Sequence, residues 1–372
     1  MNVLFVLENY MPHIGGVEVV FKNLAESLAK QGHNINIVTH RLKNTKEFEI
    51  INGVKIHRIN CFHSRYWFTF LSIPKVLKLA KKADIVHTTT YNGAFPARIA
   101  AKLLKKPSVI TIHEVLGKNW NLGFNPASAK LHQLLEWLIL KLKFDVFVCV
   151  SSSTKKNLEK YKIKNSVVIY NGVDYDFFDQ KKYDNRVRKK LSLAGFVYLF
   201  YGRPGISKGL ENLIKAVPLI SKKIPNSKLL AIISKDKAYQ KRYNHILNLV
   251  KKLNIQKNII IHDPVKFKEL PYFIMAADCV VVPSLTEGFG FAAAEPCAMQ
   301  KPVVASNVDS LPEIVSGKYV LVKPTPEAIA IGVEMVKNKK YMKTKLKKFT
   351  MQENINNYLK VYKKLLSSPK FK

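Results

Sequence analysis

Short apolar runs, a few residues long and separated by stretches of helical period, recur from Val3–Leu7 to Val320–Val322. A run apolar at every position, such as Val3–Leu7, is buried on both faces. Regular alternation with helices provides that burial in a doubly wound parallel sheet. The first group comprises Val3–Leu7, Asn34–Thr39, Val54–Ile59, Asp84–Thr89, Ser108–Thr111, Val146–Val150 and Val167–Tyr170. The second comprises Val197–Tyr201, Leu229–Ile233, Ile259–His262, Cys279–Pro283, Pro302–Ala305 and Val320–Val322.

Between the groups the chain turns polar and charged, from Asp176 to Lys190. With 372 residues the chain exceeds the usual size of one domain. The expected organisation is therefore α/β with two doubly wound parallel-sheet domains: 1–172, a linker at 173–190, and 191–345. A basic helix over 346–372 is expected to cross back onto the first domain.

The strongest local pattern is Ser284-Leu-Thr-Glu-Gly-Phe-Gly-Phe-Ala-Ala-Ala-Glu295, directly after the apolar run Cys279–Pro283. Strand, glycine-permitted turn and helix follow one another. Such a turn lets a ligand approach the backbone, and the amides opening the helix favour anions. Glu287 falls in the loop with Gly288, Phe289 and Gly290, and Glu295 further along on the helix. Arg203 and Lys208 leave the loop after Val197–Tyr201, where two fixed cations suit a diphosphate. Gly15 and Gly16 precede the first helix in the same manner, and His87 and His113 fall at strand carboxyl ends, where open α/β sheets place ligands.

The formal charge of +35 and pI of about 9.9 imply an acidic partner: nucleic acid, anionic lipid or a phosphorylated small molecule. The excess is spread over both halves. No nucleic-acid motif or zinc spacing is present, so specific nucleic-acid binding is not expected. The scattered Cys61, Cys149, Cys279 and Cys297 read as reduced and buried, which places the chain in the cytoplasm. The apolar start, lacking a basic flank and ended by Glu8, reads as a strand rather than a signal peptide. No run is long enough to span a membrane. Phe62–Lys82, aromatic first and then basic, suits either a peripheral contact with an anionic membrane on the cytosolic side or ordinary core packing.

Taken together, Pro12-His-Ile-Gly-Gly-Val-Glu18, Asn171-Gly-Val-Asp174, Gly202-Arg203 with Lys208-Gly209, Glu287–Glu295 and Pro302-Val-Val-Ala-Ser306 resemble the retaining glycosyltransferases of family 4 over nearly the whole chain. The resemblance implies a GT-B fold, two Rossmann-like domains facing a central cleft. It implies a nucleoside-diphosphate sugar as donor, a glycan or lipid-linked acceptor, and neither metal nor other cofactor. Position by position, Gly16, with Gly15 beside it, would lie against the donor diphosphate and Arg203 and Lys208 would neutralise it. Glu295 would take the ribose hydroxyls, and Glu287 the transferred sugar beside the amides of Phe289 and Gly290. His113 would lie near the reacting sugar, a hexose of mannose, glucose or N-acetylglucosamine type. Four departures stand out: Pro296 after the second glutamate, Gln300 where glycine is usual, Asp309-Ser310 in place of a small pair, and Ser234-Lys235-Asp236 in place of a glycine-rich loop. Two other readings remain open: a nucleotide-sugar epimerase on the same fold, and a basic protein that binds nucleic acid or anionic lipid without catalysis.

Overall fold

The computed structural model describes residues 1–13, 15–62, 64–235 and 239–371. Ile14, His63 and Asp236, each inside a stretch singled out above, lie outside the described residues. The chain divides into two compact units, one of residues 1–120, 125–172 and 349–372, the other of residues 121–124 and 173–348.

Among the described residues the first unit holds an eight-stranded sheet. Its strands are β1 Asn2–Leu7, β2 Asn34–His40, β3 Phe48–Ile51, β4 Val54–Ile59, β5 Ile85–Thr89, β6 Ser108–Ile112, β7 Val146–Cys149 and β8 Ser166–Val168. The order is β3-β4-β2-β1-β5-β6-β7-β8, all parallel except β3, which pairs antiparallel with β4. Chain reversal between β2 and β5 places the switch point beside β1, and carboxyl-end loops on both sides of it open towards the same edge. Strand β1 is buried from Val3 to Leu7, with β2 in register from Asn2 opposite Asn34 and β5 from Val3 opposite Ile85.

The second unit holds, among the described residues, a seven-stranded sheet. Its strands are β9 Val197–Gly202, β10 Lys228–Ile233, β11 Ile259–His262, β12 Cys279–Val282, β13 Val303–Ser306, β14 Lys318–Val322 and β15 Met342–Lys343, in the order β11-β10-β9-β12-β13-β14-β15. Of these, only β15 is antiparallel, pairing with β14. Both units are thus Rossmann-like, with the chain's cysteines buried and unpaired.

Three stretches differ from the sequence-based expectation. Residues 173–190, expected to be a linker, pack into the second unit: Phe178 and Val187 are buried, and Arg188 pairs with Asp278 at 3.3 Å. Strand β3 has no counterpart among the apolar runs, because Phe48, Ile50 and Ile51 are exposed at a sheet edge. The basic stretch from about Ala328 to Lys372 reads as helical throughout, but Met342–Lys343 within it forms β15 before a helix resumes at Met351.

That helix, Met351–Leu366, is capped by the Thr350 side chain, which accepts from the Glu353 amide, and it belongs to the first unit. It buries Ile355, Tyr358 and Tyr362 in the same core as Phe5, Leu24 and Ile37. The Tyr362 hydroxyl lies 2.6 Å from Nδ1 of His87, and His87 Nε2 lies 2.8 Å from Thr111 Oγ1, which is 3.0 Å from the Tyr358 hydroxyl. Burial pulls the His87 pKa down to about 3, so the ring is neutral and both nitrogens have partners. His87 is therefore a satisfied core histidine, not a ligand group. Replacing Tyr362 with Phe leaves a buried ring nitrogen unpaired and is expected to lower unfolding stability by about 1–3 kcal/mol. Urea denaturation of the two proteins checks this; superimposable curves would rule out a structural role for the cluster.

Candidate functional site

In the second unit the loop after β9 is fixed by backbone. Gly209 opens the helix Leu210–Lys223 in the left-handed conformation, φ 64°, and a Cβ there would clash with the carbonyl oxygen of Pro283. The Leu285 amide donates to Ser207 O at 2.7 Å, tying this loop to the one after β12. One result is an ion pair between Lys208 Nζ and Glu287 Oε1 at 2.7 Å, with Ser284 Oγ donating to the same oxygen at 2.9 Å. Glu287 is buried, and these two donors satisfy its Oε1. Arg203 is exposed, its guanidinium 5.7 Å from the Tyr239 ring centroid and its Nη1 3.3 Å from the Tyr239 hydroxyl.

A second loop holds Glu287 from the other side. Asp309 Oδ2 accepts from Thr286 Oγ1 at 2.6 Å and from the Glu287 amide at 3.1 Å. Ser310 Oγ lies 3.0 Å from Glu287 O and 2.9 Å from Phe289 O. Gly290, φ 94°, then turns the chain into the helix Phe291–Ala298, and a Cβ on it would lie 2.7 Å from Leu311 Cδ2. The Asp309-Ser310 pair that departs from the family pattern is what braces the loop. Asp309 itself takes φ 44°, a region glycine adopts without strain, and in exchange provides the carboxylate.

Glu295 is buried on the Phe291–Ala298 helix and receives the Tyr201 hydroxyl at 2.7 Å. The same hydroxyl lies 3.3 Å from Ala292 O. That carbonyl is the one an amide at position 296 would bond in a regular helix, and Pro296 has no amide. Tyr201 therefore stands in for the missing donor while it holds the carboxyl. Burial pushes the Glu295 pKa up to about 7. When protonated, the acid can donate to Tyr201, releasing the tyrosine proton for Ala292 O. The sequence singles out Ser284, Asp309 and Ser310 without revealing that they brace Glu287, and nothing but the departure at 296 points to Tyr201.

In the first unit Gly15 is extended, φ −152°, and precedes the helix Gly16–Lys30. A Cβ there would meet only the carboxylate end of the flexible Glu18 side chain. Glu18 is buried and pairs with His13 Nδ1 at 3.2 Å. His113, just past β6, has an Nε2 sealed from solvent and without a hydrogen-bond partner. Its ring stands edge-on to Phe21 at 5.9 Å, and burial pulls its pKa down to about 4. Of the two sequence-predicted histidines, only His113 retains an uncommitted nitrogen. Nearby, Glu8 accepts from Asn92 Nδ2 at 2.8 Å and pairs with Arg65 at 3.2 Å. In the aromatic stretch Phe68 is buried with Val76 and Ala80, whereas Tyr66, Trp67 and Phe70 are exposed. No described helix is long and apolar enough to cross a membrane.

The buried Glu295 carboxyl has a measurable consequence. Its pKa is raised above the ordinary value of 4.5, so the folded state holds the proton more tightly than the unfolded one. Stability from the protonated acid is complete below about pH 4.5 and is lost as pH rises through 7, by on the order of 3 kcal/mol. Glu295→Gln is expected to be more stable than the parent at pH 8, the difference vanishing near pH 5. Parallel pH profiles of melting temperature for the two proteins would contradict it.

The Glycosyltransferase Family 4 model matches residues 14–177, and the Glycosyl transferases group 1 model matches residues 182–366. An uncharacterized glycosyltransferase of Methanocaldococcus jannaschii is 30% identical over 360 residues, 90% of this chain and 89% of that one. The phosphatidylinositol N-acetylglucosaminyltransferase GPI3 subunit of Saccharomyces cerevisiae is 22% identical over 84% of this chain and 69% of its own length. Among solved structures, sucrose-phosphate synthase of Thermosynechococcus elongatus superposes with a TM-score of 0.81 at 20% identity, over 99% of this chain and 100% of that one. The fold is accordingly GT-B.

Proposed function

The chain belongs to glycosyltransferase family 4, and we propose that it moves a hexose from a nucleoside-diphosphate sugar to a glycan or lipid-linked acceptor with retention at the anomeric carbon. The observation that most supports this reading is the pair of half-buried Lys208 and buried Glu287, braced by Ser284 and Asp309 at the carboxyl end of the second sheet. A cation and an acid held side by side match the two ends of a sugar diphosphate: hydroxyls for Glu287, phosphate oxygens for Lys208. The yeast relative, a phosphatidylinositol N-acetylglucosaminyltransferase subunit, supports a lipid-linked acceptor.

In this reading Arg203 swings from Tyr239 and, with Lys208, neutralises the diphosphate. The two cations take the role a divalent ion would otherwise fill, so the reaction calls for no metal. Glu295 accepts from the ribose hydroxyls, and the amides of Phe289 and Gly290 lie beside the sugar. In the first unit we assign Gly15 and Gly16 to the diphosphate and His113, whose Nε2 has no protein hydrogen-bond partner, to the reacting sugar. The bond from the anomeric carbon to the β-phosphate oxygen breaks, the sugar becomes oxocarbenium-like, and fixed cations stabilise the charge on the leaving group. The acceptor oxygen bonds to the same face, and its proton passes to the departing phosphate. Glu287 is a binding group here, since Lys208 and Ser284 both occupy its Oε1.

A thermal-shift screen against nucleotide sugars of different base and hexose is expected to raise the melting temperature with one donor class. No shift with any donor would count against the assignment. Lys208→Ala and Glu295→Ala are each expected to lower turnover about a hundredfold or more without loss of folding. Near-normal turnover in either purified variant would sink the roles given above. Product formed without acceptor would point to an epimerase instead.

A further inference from the structure

The helix Pro126–Lys141 in the first unit is built inside out. Towards the protein it turns Ala129, His132, Gln133, Glu136 and Leu140, a largely polar set. The Glu136 carboxylate accepts from the Trp120 indole and, at 3.2 Å, from the Gly117 amide, while the Trp120 ring stacks on His132 at 4.7 Å. Towards solvent it turns Leu131, Leu134, Leu135, Trp137 and Leu138, between 42% and 55% exposed. Positions 131, 134, 135 and 138 form the i, i+3, i+4, i+7 stripe that ordinarily faces a core. Single exposed leucines are common, but a complete apolar stripe turned outward marks an interaction surface.

The charges around the stripe indicate what covers it. Lys130, Lys141 and Lys143 flank it and are exposed, and Lys141 Nζ lies 5.8 Å from the Trp137 ring centroid. The Trp120 ring meets Tyr91 at 6.2 Å in the loop after β5, where Asn92 is bonded to Thr69 of the exposed aromatic stretch. Arg65, Tyr66, Trp67 and Phe70 there repeat the combination of cation and exposed ring. Leucine and tryptophan rimmed by lysine suit the boundary of headgroups and acyl chains in an anionic bilayer. A second copy of the chain fits less well, because two such faces would bring lysine against lysine on molecules each carrying +35.

We propose that the outward stripe of the Pro126–Lys141 helix, with the exposed aromatics after β4, seats the protein on an anionic membrane surface. The helix is the crossover between the parallel strands β6 and β7, and the segment that leads into it from β6 carries His113. The proposal is independent of which sugar is transferred and of the acceptor's identity.

Co-sedimentation of the full chain tests it, with vesicles of phosphatidylcholine alone and of phosphatidylcholine mixed with phosphatidylglycerol. The wild type is expected to pellet with the mixed vesicles and to be released by high salt. The L134E/L138E variant is expected to stay in the supernatant, its partition lowered about tenfold or more, with an unchanged melting temperature and an unchanged thermal shift by donor. Those two controls separate loss of membrane binding from loss of fold and from failure of the glycosyl-transfer reading. Wild-type protein remaining in the supernatant with mixed vesicles, or a double variant that binds as well as the wild type, would overturn the proposal. So would sedimentation velocity showing a wild-type dimer that the double variant dissociates.

Discussion

Gly209 has no room for a side chain, and the candidate donor site of the second unit depends on that fact. Any Cβ would strike the carbonyl of Pro283, so only glycine lets the loop after β9 lie against the loop after β12. The hydrogen bond from Leu285 to Ser207 closes the same seam. Lys208, one residue before the glycine, is thereby delivered to Glu287. An ion pair held only by flexible side chains on an exposed surface contributes little. This one is set by two backbones in contact, with the acid buried and three further groups, Ser284, Asp309 and Ser310, holding its loop. The order of causes runs from a missing side chain, to loop apposition, to a fixed charge pair.

Glu295 shows the opposite economy. A buried carboxyl whose pKa rises to about 7 makes the folded state less stable near neutral pH than a neutral side chain would. Pro296 adds a second cost by leaving Ala292 O without its helical amide. One hydroxyl, that of Tyr201, answers both. Buried, imperfectly satisfied groups of this kind concentrate where a chain serves a ligand rather than its own stability. The proline that looks out of place in the sequence becomes intelligible once its partner on β9 is seen.

The two-unit α/β architecture was legible because parallel strands are buried on both faces and leave continuous apolar runs. Strand β3 was not, since an edge strand with Phe48, Ile50 and Ile51 exposed has no such signature. Nor was β15, whose formation depends on the free edge of β14 rather than on its own residues. The motifs placed Lys208, Glu287 and Glu295 where tertiary structure gives them partners, because glycines with required conformations mark themselves in sequence. Their supports lie farther off in the chain: Asp309 is 22 residues from Glu287, and Tyr201 is 94 from Glu295. His87 and His113 look alike in sequence, each at a strand end. Tyr362, 275 residues from His87, is what distinguishes them, by taking up a nitrogen that His113 keeps free.

That same long-range bond constrains how the protein is made. Residues 349–372 complete the core of the first unit, with Tyr358 and Tyr362 fully buried beside Phe5 and Phe21. The second unit, in sequence, lies inside the first. During synthesis the strands β1 to β8 are finished long before the helix that covers them, whereas residues 173–348 form a continuous segment with nearly all their partners in hand. Contacts of such separation pay loop-closure entropy before they return any stabilisation. The second unit can therefore close its core while the first still exposes the surface that Ile355, Tyr358 and Tyr362 will cover. The last helix then acts as the step that seals His87 in its neutral form and fixes the sheet whose carboxyl edge carries His113.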